Sequence, residues 1–563
     1  MKKIFYTSII IFAIASFSSC KKALDLTPND QLASATFWKT EHEASLALTG
    51  CYTYFSTNDN TYTGYYYAYN DGASDNAMAQ YPWESNATLI SAGNISPTFD
   101  QGYNTRYQYI RRYNYFLDNI AKTPMDAALE KRFIAEARAL RAFTYFELAE
   151  TFGPVVLLTK SYTDPLTTAV APTSEADVIT FVISELQSAA ADLPASYAGG
   201  TDNETGRITS GAALSILARV QLQYSKWADA VATTQKVMGM GYALYRKTTL
   251  TAADTQDDYS TFVTFADDND KQKFYKGMAS YEQQFWQVNE NSKEVILASQ
   301  NISNSSYAYG NGLRTLFPPA DLGGWSSITP TQELVDAYWD RGGNTFTPPT
   351  ATTRAANYNN GNPNAAYLTE FKNRDTRLYA SILFPKSPWG AFNTGYTFSW
   401  GKGGSNNSKT GYNFRKLIDP VYTTADWDGA QDFPIIRYAE ILLIYAEAKN
   451  ELSGPDPSIF AALNDIRDRA GMPAVSQTTY GTQLSLRGLI QNERRIELAA
   501  EGQRLFDIRR WNIAKDVMKS TYDLTNTIVQ ARVWDPKFVL MPYPQTAVDH
   551  NPNLKSAQTA KGY

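Results

Sequence analysis

The segment KRFIAEARALRAFTYFELAETFGP, Lys131 to Pro154, settles the structural class of this protein. Phe133, Ala137, Leu140, Phe143 or Thr144, and Leu148 recur at three- and four-residue steps, so Lys131 to Phe152 reads as a helix with one continuous apolar face. Gly153 and Pro154 stop it: glycine takes the left-handed conformation that closes a helix, and proline cannot extend one.

Helical periodicity continues on both sides of this segment. A first helix is predicted near Phe37 to Phe55 and another over Tyr103 to Ile120. Ser174, with Asp177 three residues on, opens a helix to about Leu193. Gly211 to Tyr224 and Trp227 to Met238 form a pair of short helices joined by a tight link. Ile435 to Leu452 with Asp456 to Ala470, and Leu484 to Glu501 with Gln503 to Met518, form two more. Pairs of this size resemble tetratricopeptide units, without a strict period. Between Thr249 and Phe433 the pattern changes to short apolar runs such as Val295 to Ala298, separated by Gly, Asn, Pro and Ser clusters. Glu333 to Trp339 is the one short helix expected there. A loop region of that length within a compact body is usually functional. The fold class is mainly α: tetratricopeptide-like helix pairs form a scaffold, and a loop-rich insert carries the ligand surface.

The N-terminus reads as an export signal. Met1-Lys2-Lys3 supplies positive charge, Ile4 to Phe17 an apolar run, and Ser18-Ser19-Cys20 the small residues of a lipoprotein cleavage site. The alternatives are an ordinary secretory peptide or a signal anchor, for which the apolar run is short. Acylation of Cys20 would anchor the chain firmly, since each buried CH₂ contributes about 0.8 kcal/mol. The expected organisation is a signal peptide over 1–19, a lipidated tether over 20–36, helical regions over 37–248 and 434–563, and the loop-rich insert over 249–433.

Composition excludes several functions. Lys+Arg 51 against Asp+Glu 56, with no long basic block, argues against nucleic acid as a partner. Once Cys20 is lipidated only Cys51 remains, so no intrachain disulfide framework is possible, and Cys51 reads as a small buried hydrophobe. His42 and His550 sit in no metal or catalytic motif. Asp267-Asp268-Asn269-Asp270 lacks the glycine and terminal glutamate of a calcium loop and reads as a solvated acidic turn. No metal and no cofactor is expected. Aromatic content is high, Trp 11, Tyr 38 and Phe 27, and many of the rings lie in polar stretches, as in Tyr62, Tyr65, Tyr66, Tyr67 and Tyr69. Rings with polar handles suit a wet binding surface.

Several segments together resemble the SusD/RagB outer-membrane lipoproteins of Bacteroidetes. They are RFIAEARALRA at 132–142 with FGPVV at 152–156, PIIRYAEILL at 434–443 with AEA at 446–448, and NERRIEL at 492–498 with GQRLFDIRRW at 502–511. Pro544-Gln545 and Asn551 to Leu554 fit as well, while Thr559 to Tyr563 departs from the family's Gln-Asn-Pro-Gly-Tyr ending. The resemblance implies a cell-surface lipoprotein, held in the outer membrane by its lipid. Such proteins form a lid over a SusC-like TonB-dependent transporter and capture glycans, or in some members peptides, without being enzymes.

Two residue sets follow. Glu493, Glu497 and Glu501 share one helical face, a repulsive arrangement unless cations answer it, and Arg437 on a neighbouring apolar helix is one candidate. With Glu440, Glu447, Arg494, Arg495, Arg504 and Asp507 these read as structural ion pairs tying the last helix pairs together, not as acid/base machinery. A sugar needs flat apolar faces for its C–H surfaces, with amides and carboxylates for its hydroxyls. Trp83 in Tyr81-Pro82-Trp83-Glu84-Ser85-Asn86, with Asp75 and Asn76 upstream, has this character, as do Trp325, Tyr307 and Tyr309; Trp389, Trp286 and Trp400 are weaker. Ligand aromatics of the family come from corresponding regions. The leading function is non-catalytic glycan capture. Its competitors are a peptide-binding member of the family, an all-helical glycoside hydrolase with two carboxylates across a cleft, and an assembly adaptor using helix-pair concavities.

Overall fold

The computed structural model describes residues 37–55, 64–162, 164–197, 204–303, 310–421 and 428–563. Cys20 and the signal and tether expectations lie outside these residues. Asp126 caps the long helix Ala127–Phe152, its carboxylate accepting from the amides of Ala128 and Leu129 at 2.9 and 3.0 Å. Gly153, at φ 73°, ends it. This helix is buried around its whole circumference from Ala139 to Ala149, not on one face as the periodicity predicted. Helix Tyr103–Asn119 packs on one side and Glu175–Asp192 on another, which leaves it no solvent face. Arg141 within it therefore needs internal partners, and finds them in Asn114 and Glu185.

The helix pairs form as the pattern predicts: Ser210–Gln223 with Trp227–Met238, and Tyr438–Ser453 with Pro457–Arg469. Trp227–Met238 also packs on Tyr438–Ser453, so the first pair sits against the second although some 200 residues separate them. Arg219 bridges this junction, its Nε and Nη2 donating to Glu440 at 2.8 and 2.7 Å. One apolar core runs from Trp38 to Leu554 without interruption at 248 or 433.

The structure differs from the predicted pattern in four places. Ile435 and Ile436 lie in a strand, Phe433–Arg437, paired antiparallel with Val295–Ser299, and the helix begins only at Tyr438. Pro434 and two β-branched residues favour extension over helix. The helix over Leu484 to Glu501 stops at Glu497, with Ala500 and Gly502 at φ 66° and 80°. Gln503 to Met518 is broken into Arg504–Arg510 and Ala514–Val517, with Asn512 at φ 55° between them. The loop-rich region holds a helix the pattern did not reveal, Asp268–Gln283. Asp267 caps it by accepting from the Asp270 amide at 2.8 Å, so the acidic tetrad is a helix start rather than an open turn. Gly277 in this helix lies against the Ala470 carbonyl, where an added Cβ would sit 2.4 Å from the oxygen.

The carboxylates of the last helix pairs are answered from several parts of the chain. Glu497 accepts from Arg437 Nη1 at 2.8 Å, from Arg377 Nη1 at 3.0 Å and from Arg469. Glu501 accepts from Arg437 Nε at 2.7 Å and Lys416 Nζ at 2.7 Å, and Glu493 from Arg377 and Arg467. Glu447 accepts from Arg510 and from Trp511 Nε1, and Asp507 from Arg494 at 2.8 Å. All these carboxylates are buried. Burial alone would raise the Glu497 carboxyl, but Arg469, Arg437 and Arg377 outweigh it and hold the group well below the usual carboxylate range. Glu501 is lowered in the same way by Arg437 and Lys416.

A carboxyl with a depressed native pKa adds stability that is complete above its unfolded value near 4 and is lost as pH falls through the native value. The protein is therefore expected to lose stability progressively below about pH 4 in equilibrium denaturation. Glu497→Ala, which takes one shared carboxylate from Arg377, Arg437 and Arg469 and leaves them to Asp375, Glu493, Glu294 and Glu501, is expected to cost about 3–5 kcal/mol at neutral pH and to flatten that acid limb, both readable by urea titration.

Candidate functional site

A two-stranded antiparallel ladder, Ala77–Ala79 with Ile328–Pro330, joins two loops that are distant in sequence. Gln80 extends the contact: its amide donates to the Ser327 carbonyl at 2.9 Å, and its Nε2 to the Trp325 and Ser326 carbonyls at 2.8 Å each. Trp83 leaves this junction toward solvent, 74% exposed, with its ring against Tyr81 at a centroid distance of 4.5 Å and a tilt of 33°. Tyr81 in turn donates its hydroxyl to Asn406 Oδ1 at 2.7 Å, bringing in a third loop.

Buried contacts hold the tryptophan turn from beneath. Glu84 accepts from the hydroxyls of Tyr69 at 2.6 Å and Ser327 at 3.0 Å; burial raises its pKa and these hydrogen bonds offset part of the shift. Trp325 is half-buried, and its amide donates to the Thr315 carbonyl at 2.7 Å. The preceding Gly324 is required by packing, because a Cβ there would sit 2.0 Å from the Pro318 carbonyl oxygen. The neighbouring loops are clasped as well: Arg314 lies over the Phe392 ring at 4.1 Å and donates to the Leu322 carbonyl, and Tyr396 donates to the Asp321 carboxylate. The result is an exposed aromatic platform on a fixed base, bordered by amide and carboxylate groups. It can stack an apolar ring face and hydrogen-bond the substituents around it.

Residues 293–563 match the family model of the SusD family, and residues 23–222 match a family model described as starch-binding and associating with the outer membrane. The chain is 24% identical over 550 residues to SusD-like protein P38 of Formosa agariphila, covering 95% of this chain and 96% of that protein. A SusD-like carbohydrate binding protein from Bacteroides fragilis superposes with a TM-score of 0.75 at 27% identity, covering 92% of this chain and 100% of that one. A further SusD-like protein of that species superposes with a TM-score of 0.76 at 25% identity, covering 94% and 98%. The chain belongs to the SusD/RagB family.

On this SusD scaffold the structure places Trp83 and Trp325 in adjoining loops, while Tyr307 and Tyr309 lie outside the described residues. Three other expected ligand residues are corrected. Asp75 is 3% exposed, and its carboxylate is taken by Arg504 Nε and Nη2 at 2.7 and 2.8 Å and by Arg495 at 2.9 Å. Asn76 is also buried, accepting from Arg495 Nε and donating to Asp71. Both clamp the N-terminal segment onto the C-terminal helices. Trp389 has no exposed surface; Phe392 packs on it at 4.6 Å and the Arg415 guanidinium lies 5.4 Å from its ring. Trp400 is buried too, donating Nε1 to the Ser408 carbonyl, and Tyr67 and Tyr69 sit in the core rather than on a wet surface.

Sequence reading passed over Tyr81 and Asn406. Tyr81 carried a usable signal, since it is an aromatic residue two positions before Trp83 across Pro82, which favours a turn that brings the two rings together. Asn406 had none, because its contact with Tyr81 spans more than 300 residues.

Asp75→Ala, which leaves Arg495 and Arg504 buried without their carboxylate, is expected to cost about 3–5 kcal/mol of stability. Arg495→Ala should likewise lower the melting temperature without selective loss of ligand binding in the folded fraction. Trp83→Ala, at an exposed position, should shift stability by no more than about 0.5 kcal/mol. Thermal denaturation of the three variants side by side checks this.

Proposed function

We propose that this chain is a non-catalytic, cell-surface glycan-binding lipoprotein, anchored through Cys20, that captures oligosaccharides for import through a SusC-like TonB-dependent transporter. The observation that carries the reading is the Trp83 ring, standing exposed on Tyr81 beside the Trp325 loop. An exposed indole packed against a second, hydrogen-bonded aromatic ring offers a flat surface on which a pyranose face can stack. The similarity to a carbohydrate binding protein of B. fragilis and the family description that names association with the outer membrane support the same reading.

Capture without chemistry accords with the state of the neighbouring carboxylates. Glu84 accepts from Tyr69 and Ser327, and Asp321 from Tyr396, so both carboxylates help fix the loops around the platform. An aromatic contact contributes about 0.5–1.5 kcal/mol beyond the area it buries, so a few rings give weak binding to a single sugar unit. Useful retention of a polymer then comes from several contacts along one chain.

Calorimetric titration of the chain from Lys21 onward, against panels of neutral oligosaccharides and of peptides with product analysis of each mixture, tests the proposal. Saturable oligosaccharide binding without cleavage is expected, with Trp83→Ala and Trp325→Ala each weakening it by about ten-fold or more, equivalent to about 1.4 kcal/mol. Binding of peptides alone would transfer the protein to a peptide-capture role, and product formation would replace capture with hydrolysis.

A further inference from the structure

A second concavity, a cleft of about 260 Å³, shares no residue with the aromatic platform. Tyr103 and Tyr107 line it from helix Tyr103–Asn119, Tyr162 from the loop after helix Ala127–Phe152, and Leu554 from the C-terminal segment. Arg111 and Lys160, both exposed, are its charged residues, and among the described residues no aspartate or glutamate lines it. Among the described residues neither cation makes an ion pair.

The walls of the cleft are built, not incidental. Asn114, 1% exposed, donates Nδ2 to the carbonyls of Leu158 and Lys160 at 2.9 and 3.1 Å and accepts from Arg141 at 2.7 Å. Tyr107 donates its hydroxyl to the Val156 carbonyl at 2.7 Å, and Tyr145 exchanges hydrogen bonds with the Leu158 backbone at 2.8 and 2.7 Å. The loop that carries Lys160 and Tyr162 is thereby pinned to the helix that carries Arg111. Across the cleft, Asn551 ties the C-terminal segment to the Val170 carbonyl at 2.8 Å. Such a site keeps its shape before a ligand arrives, which lowers the entropy cost of binding.

Ring faces with an apolar floor and two unanswered cations call for a ligand that is part apolar ring and part anion. A bare inorganic anion would leave the tyrosine surfaces wet, and a neutral sugar would leave both cations without a partner. The volume lies below the range of about 300–1,000 Å³ usual for drug-sized sites, so the cleft takes a single ring with its substituent rather than a long chain. We propose that this cleft is a second binding site, for a saccharide unit bearing a carboxylate or a sulfate, stacked on the tyrosines with its anion met by Arg111 and Lys160. That the ring is a sugar rests on the glycan-capture reading above; that the ligand is anionic rests on the cleft alone. Binding there would add a contact remote from Trp83 and so extend the hold on a charged polymer.

The test uses three probes on the chain from Lys21 onward: a hexuronate oligosaccharide, a sulfated oligosaccharide and a neutral one. At least one anionic probe should bind saturably, more weakly as ionic strength rises. Its affinity should fall about ten-fold or more in R111A/K160A and in Tyr162→Ala, side chains exposed enough to be replaced without unfolding, as thermal denaturation will verify. Which anionic probe responds identifies the substituent. Trp83→Ala should leave this binding in place, so a failure of the platform reading and a failure of the cleft are separable. The proposal is overturned if neither anionic probe binds, if R111A/K160A binds them as the unaltered chain does, or if Trp83→Ala abolishes their binding.

Discussion

Charge compensation in the dry interior is the constraint on which the rest of this structure depends. Glu497 is fully buried, and three arginines from three separate stretches of chain, Arg377, Arg437 and Arg469, converge on it. A lone buried carboxylate would cost several kcal/mol, and so would each guanidinium, so the cluster is stable only when all of its members arrive together. Glu294, Lys416 and Glu501 extend the same network. Because its members come from the loop-rich region as well as from the C-terminal helices, the network forces irregular segments to take up one position against the helical scaffold.

A second clamp repeats this logic nearer the platform. Asp75, two residues before the Ala77–Ala79 strand, is gripped by Arg495 and Arg504, and Arg532 donates to the carbonyls of Ser74 and Ala77. The short strand is thus fixed at its base by ion pairs, and its pairing with Ile328–Pro330 fixes the Trp325 loop in turn. Trp83 can stand in water on a rigid support because the energy that holds the support lies below it, in buried contacts. The residues that hold the support and the tryptophan left in solvent lie a few positions apart.

Much of the helical scaffold was legible from periodicity, caps and stop signals, since these depend on neighbours within one or two turns: Ser174 and Gly153 act where local chemistry says they should, whereas the helix read from Lys131 starts earlier, at Ala127 behind the Asp126 cap. The helix Asp268–Gln283 escaped because its buried face is built from Phe274, Tyr275, Met278 and Tyr281 amid charged and polar residues, which gives a weak apolar pattern. The strand at Phe433–Arg437 escaped because its apolar residues run directly into those of a helix, and only its partner Val295–Ser299 separates the two. At the candidate site, Trp83 and Trp325 were readable as aromatic residues in polar loops. Asp75 and Asn76 read as polar partners of Trp83, and Trp389 as a weaker aromatic candidate, because no carboxylate, amide or indole carries a local mark of whether protein or water will surround it.

Local sequence was enough to establish a mainly helical chain built from paired helices, with family segments spread along most of its length and acidic and basic residues arranged for pairing. These properties follow from hydrophobic period, capping chemistry and charge spacing, all of which act over a few residues. Which cation meets which carboxylate, which tryptophan is left in solvent, and how residues 83, 325 and 406 come to border one surface depended on the packed chain. Those outcomes are set by desolvation and by contacts between residues hundreds of positions apart, and both come into being only when the chain has closed around its core.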